Sequence, residues 1–152
     1  MPTLTRLAAL ILFGSAVYFA STQYHLLYDE PPRGGSGHVF LAVVAAVIGW
    51  SFVGSRITSA MFRNFTVVIQ GYIAGLILAL ILHGFYNAFT EGYRLRYRSL
   101  DEALEGAFAI SVEHLVRMTD TSFLMLLLGL AVGMTLILTV VYRYAEFRRI
   151  AR

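Results

Sequence analysis

Phe65 to Phe89 reads FTVVIQGYIAGLILALILHGFYNAF, twenty-five residues in which no side chain is ionised at neutral pH. A helix rises about 1.5 Å per residue, so roughly 20 apolar residues cross a ~30 Å hydrocarbon layer. A soluble core helix rarely needs so long an unbroken run. The stretch is therefore read as a membrane-spanning helix, and the rest of the chain as further spans and connectors.

Composition agrees. The 152 residues are 58% hydrophobic and 14% charged, with a mean hydropathy of +0.69, whereas soluble domains carry roughly 25% charged residues. The longest segment outside the apolar runs, Thr90 to Thr121, is too short for a separate soluble domain. The net charge of +3 comes from twelve basic residues, all arginine. They stand beside the ends of apolar runs and form no nucleic-acid-sized patch, so lipid headgroups are the expected partner and nucleic acid is not. The chain has no cysteine, which removes disulfides, thiolate ligands and thiol redox chemistry.

Outward from the central run, four spans are expected, at about 7–28, 38–55, 65–89 and 122–142. The first exceeds the 7 to 15 apolar residues of a secretory signal, and its best cleavage match, Ala20-Ser21-Thr22, falls inside the run; it is read as a span. Asp29 to Gly37, DEPPRGGSG, breaks helices and makes a hairpin connection. Arg56 and Arg63 bracket a loop of about eight residues, ITSAMFRN, before the third span. Between spans three and four, Ser99-Leu100-Asp101-Glu102 is a capping box that opens an amphipathic helix over about 99–118. Leu100, Leu104, Ala107, Phe108, Ser111, Leu115 and Met118 share one face of it. Glu102, Glu105 and Glu113 occupy another, with Glu113 four residues before Arg117 as a supporting pair. The expected fold is all-α, one membrane domain built as a four-helix bundle with this additional helix.

Four spans put both termini on one side. Arg6, Arg56, Arg63, Arg143, Arg148, Arg149 and Arg152 lie there, against Arg33, Arg94, Arg96, Arg98 and Arg117 on the other. The excess predicts cytoplasmic termini in a bacterial inner membrane.

Small residues recur at four-residue spacing: Gly71 with Gly75, Gly129 with Gly133, Ala45 with Gly49, and Ala16 with Ala20. In lipid such pairs let helix backbones approach closely. They are read as packing positions within the bundle, with a homo-oligomer face as the alternative. His83 and Asn87 share a face of the third span, and a histidine in hydrocarbon prompts a functional hypothesis. With His25, His38 and His114, all toward the same side, they form a candidate polar or metal site. The spacing contains no HxxxH or HExxH signature, so scatter is expected and neither metal nor haem is assigned. No Ser/His/Asp motif, phosphate loop or intramembrane carboxylate pair is present, and neither an enzyme nor a cofactor is expected.

Three stretches resemble the TrgA family, small alphaproteobacterial inner-membrane proteins linked to tellurite resistance. They are Met1-Pro2-Thr3, the run Ile48-Gly49-Trp50-Ser51-Phe52-Val53-Gly54-Ser55-Arg56, and Tyr93-Arg94-Leu95-Arg96-Tyr97-Arg98-Ser99-Leu100-Asp101-Glu102-Ala103-Leu104. The likeness extends to the number and order of spans. It departs before the last span, where a proline-containing helix start would be expected and Thr119-Asp120-Thr121-Ser122 stands instead. The resemblance implies a tellurite-resistance phenotype and carries over no catalytic residue. A small accessory subunit docked on a larger respiratory or photosynthetic membrane complex is the second expectation.

Overall fold

The computed structural model of the protein describes residues 3–25, 36–93 and 100–150. Helices are the only regular structure among them: α1 (Thr3–His25), α2 (Ser36–Ile48), a π-helical turn (Gly49–Val53), α3 (Gly54–Arg56), α4 (Met61–Tyr93), α5 (Leu100–Met118) and α6 (Thr121–Ile150). The π turn and α3 continue α2 without a break. Four helical segments are long and apolar enough to cross a membrane: Leu4–Tyr24, Gly37–Arg56, Met61–Leu82 and Thr121–Phe147.

Each of these four has two kinds of surface. Only 17–33% of their most apolar windows is buried within the protein. The remainder carries exposed side chains such as Ile11, Val43, Val47, Ile73, Ile77, Met125 and Val140. A water-soluble protein rarely exposes apolar patches beyond a few hundred Å². Apolar residues facing both inward and outward are what lipid solvation calls for.

Contacts link α1 to α2 and α6, and α4 to α2, α6 and α5. The centre of the core holds Phe13, Val53, Val68 and Leu138, all at most 1% exposed. Gly71 admits this cluster: a Cβ there would lie 2.5 Å from Val53 Cγ2 and 2.9 Å from Phe13 Cζ. The Phe13 ring continues onto Tyr72, with centroids 5.5 Å apart.

Small residues also set the seam between α1 and the helix that starts at Ser36. At Gly49 an added Cβ would meet the Ala9 carbonyl oxygen at 2.4 Å, at Gly54 the Arg6 Cα at 2.7 Å, and at Gly14 the Ala46 Cβ at 3.3 Å. Ala45 lies buried in the same core. Gly75, Gly129 and Gly133 differ, since an added Cβ would meet nothing within 4 Å. The expectation of close packing at these three finds no close neighbour in the single chain, because the spacing marks a helix face without marking what faces it.

Helix α4 starts at Met61, four residues before the expected Phe65, and shortens the arginine-bracketed loop to Ile57–Ala60. Asn64 explains the difference. Fully buried, it accepts from the Thr58 backbone N–H through Oδ1 (2.8 Å) and donates through Nδ2 to the Thr58 carbonyl (2.8 Å) and to Thr139 Oγ1 on α6 (2.8 Å). The side chain supplies the turn with partners that a longer loop would take from water. Arg143 of α6 donates to the Ser59 carbonyl at 3.0 Å beside it. Arg6, Arg56, Asn64 and Arg143 thus collect at one end of the molecule.

At the other end, Tyr24 packs on Phe123 with ring centroids 5.5 Å apart, in a cluster with Ala20 and Met118. The Asp120 carboxylate accepts from the Phe123 backbone N–H at 3.1 Å, an N-cap for α6 where the family resemblance leads one to expect proline. Helix α5 packs along α4. Glu105, Glu113, Phe108 and Leu115 are exposed on it, and Glu113 pairs with Arg117 at 3.2 Å. The capping residue Ser99 and the side chains of Glu102 and Leu104 lie outside the described residues.

Candidate functional site

Two stripes of small residues determine where the helices fail to close. On α4, Gly71, Gly75 and Ala79 follow one another at four-residue spacing; on α1, Ala16 and Ala20 do the same. Both stripes line a cavity of about 550 Å³ between α1, α2, α4 and the start of α6. Its floor is the core at Phe13 and Ala45. Its upper wall is Tyr24, Met118 and Phe123, and Leu76 and Leu80 complete the α4 side.

The lining is almost wholly apolar. Water is a poor filler, because a buried water needs two to four polar partners. The volume falls inside the roughly 300–1,000 Å³ of small-ligand sites, which also lie between helices of bundles.

One polar pair reaches the wall: Ser21 Oγ and His38 Nδ1, 2.8 Å apart, join α1 to α2. Ser21 also lies 2.9 Å from the Tyr18 carbonyl oxygen, which its hydroxyl can donate to, and the His38 ring stands edge-on to Tyr18 at 6.1 Å. The serine hydroxyl carries one proton, so when it goes to Tyr18 the imidazole Nδ1–H is the donor to Ser21. Tyr72 also lines the cavity, but its hydroxyl is closed off from that space and has no hydrogen-bond partner among the described residues. His38 is the one ionisable group among the described lining residues apart from the tyrosines.

Of the histidines expected to share a side, His38 is placed on this wall. The side chains of His25, His83, Asn87 and His114 lie outside the described residues. Among the described residues no group of three or more His, Asp or Glu could hold a metal ion. Gly71 and Gly75, expected as one packing pair, separate in role: Gly71 is closed over by Phe13 and Val53, and Gly75 opens onto the cavity.

Sequence reasoning did not single out Ser21, Tyr72 or Asn64. Ser21 could have been found by asking what His38 meets across a tight hairpin. Asn64 could have been found as an amide that a helix start must satisfy. No family model matches the chain, and neither the curated proteins nor the solved structures contain a match to it.

Proposed function

We infer that the chain is an integral membrane four-helix bundle of the bacterial inner membrane, with cytoplasmic termini, acting without catalysis in tolerance to an oxyanion such as tellurite. The observation that carries the membrane part is the apolar exterior of four helices of 20 to 27 residues whose charged residues all stand near their ends. The resistance part rests on the resemblance to the TrgA family. Direct binding of an oxyanion has little support from the cavity, which offers few donors and no cationic side chain among its described lining other than a protonated His38. An indirect contribution, through the state of the membrane or of a partner, fits that lining better.

A second reading is a small accessory subunit on a larger respiratory or photosynthetic complex, or a homo-oligomer. It is favoured by α6, where Gly129 and Gly133 stand among exposed Met125, Leu128, Val132 and Leu136 with open space in front of them. In lipid such a face lets a second helix approach closely.

Deletion of the gene followed by complementation tests the first reading. Loss of tellurite tolerance restored by the wild-type chain supports it, and unchanged tolerance in the deletion strain overturns it. Native purification with identification of co-migrating subunits tests the second.

A further inference from the structure

We propose that α5 is a docking surface for a helix of a second protein, one that presents apolar side chains with a lysine or arginine among them, outside the hydrocarbon layer on the side opposite the chain termini. The inference rests on the accessory-subunit reading above and gives it a contact beyond the membrane.

The level of α5 follows from its two ends. Met118, at its C-terminus, packs with Ala20, Tyr24 and Phe123, where α1 ends and α6 begins. It also shares the cavity wall with Ala79 and Leu80 of α4. From Ala79, α4 continues to Tyr93, about 21 Å at 1.5 Å per residue, and α5 returns along it. The span Leu4–Tyr24 is 21 residues long and just crosses a ~30 Å layer, so the far boundary of that layer lies at the Tyr24–Phe123 contact. Phe108 lies about 15 Å farther along α5 than Met118, beyond a headgroup layer of roughly 5–8 Å.

The side chains of this outer stretch form one stripe. Phe108 is 72% exposed, Val116 65%, Val112 40% and Leu115 39%. At ~100° per residue these four fall within an arc of about 100°, and Glu105 falls inside the same arc. Glu105 is exposed and has no ion-pair partner among the described residues, while Glu113, paired with Arg117, borders the stripe. Glu105, Phe108, Val112 and Leu115 alternate steps of three and four, the spacing by which two helices interdigitate.

The charge decides what covers it. Lipid does not suit the stripe, because Phe108 stands too far out and Glu105 is repelled by anionic headgroups. A second copy does not suit it either. Copies in one membrane are related by an axis along its normal, so their α5 helices would run parallel and set each Glu105 against its counterpart. A partner helix with a basic group meets both the apolar arc and the carboxylate.

Photocrosslinking in the native membrane tests this. Benzoylphenylalanine is placed in the full chain at Phe108 or Val112, with Ile73 as a lipid-facing control and Val132 on the α6 face. Both α5 positions are expected to capture one other protein, and mass spectrometry to map the adduct to a helical segment carrying a lysine or arginine. Glu105→Arg should lower the yield roughly tenfold at unchanged abundance, and Glu105→Gln less. Replacing the mapped basic residue by glutamate should restore the yield in the Glu105→Arg chain. Adducts with lipid alone, adducts with a second copy, or a yield indifferent to Glu105→Arg each overturn the proposal. A silent α5 with capture of a co-migrating subunit at Val132 overturns it and leaves the accessory-subunit reading standing; capture at neither face overturns both.

Discussion

Asn64 and Thr139 stand 75 positions apart in the chain, yet the amide of one donates to the hydroxyl of the other across 2.8 Å, with both side chains buried. Thr139 in turn donates to the Thr135 carbonyl, so the contact is anchored on both helices. The pair fastens the start of α4 to the middle third of α6 and closes the Ile57–Ala60 turn in the same stroke.

Removing the amide leaves a backbone N–H and a carbonyl of Thr58 without their partner, and a buried polar group left unmade costs about 1–3 kcal/mol. Asn64→Leu should lower the thermal midpoint of the detergent-purified protein clearly. Thr139→Val should lower it less, because Thr58 keeps its partner. The double variant should fall short of the summed effects, as expected for directly coupled groups.

The glycines of α4 should behave oppositely. Gly71→Ala forces Val53 and Phe13 aside and is expected to destabilise by about 1–3 kcal/mol through overpacking. Gly75→Ala meets open space and should leave the midpoint unchanged or raised, since alanine is the better helix former. Equal losses at the two positions would contradict the placement of the cavity.

Asp120→Ala removes the N-cap of α6 and should cost about 1 kcal/mol, with Asp120→Asn nearly neutral. Melting curves of the two variants check this. A proline placed at Thr121, the first helical position, should be tolerated at the cap-retaining background because its missing N–H is unbonded there anyway.

Orientation is checked by reporter fusions after Gly37 and after Arg152. Activity of a periplasmic phosphatase at the first position and silence at the second is the expected outcome, from the arginine excess on the terminal side. The reverse pattern would invert the protein in the membrane.

His83→Leu should leave tellurite tolerance unchanged at normal protein abundance, because the sequence places no ligand signature around it. Loss of tolerance with normal abundance would argue for direct handling of the oxyanion.

Apolar length and punctuation made the four helices readable: the Phe65–Phe89 run, the Pro31-Pro32 and glycine-rich hairpin, and the arginines at the ends each report a solvent boundary. The interior was less legible. A four-residue spacing of glycines states that a helix has a smooth face, and says nothing of whether the facing element comes close, as at Gly71, or stands off, as at Gly75. That depends on Phe13 and Val53, side chains from two other helices. Asn64 stayed hidden for a related reason, since an asparagine beside Arg63 reads as loop until Thr58 and Thr139 are known to surround it.

The π turn at Gly49–Val53 acts as a gauge of length. The helix that contains it approaches α1 closely through Gly14 and Ala46 before the turn, through Ala9 and Gly49 where the turn begins, and through Gly54 and Arg6 after it. A residue advances an α-helix by about 100°, so the wide turn keeps the contact points before and after it on the same side of a helix that would otherwise have rotated one of them away. Regularising the turn to α geometry with every residue retained would swing Gly54 by roughly 80° off Arg6 and unfasten the helix pair at the arginine end, whereas deleting Ser51 would relax the turn and leave Gly54 in register. The extra residue is thus absorbed by the turn so that the contacts on both sides of it are kept.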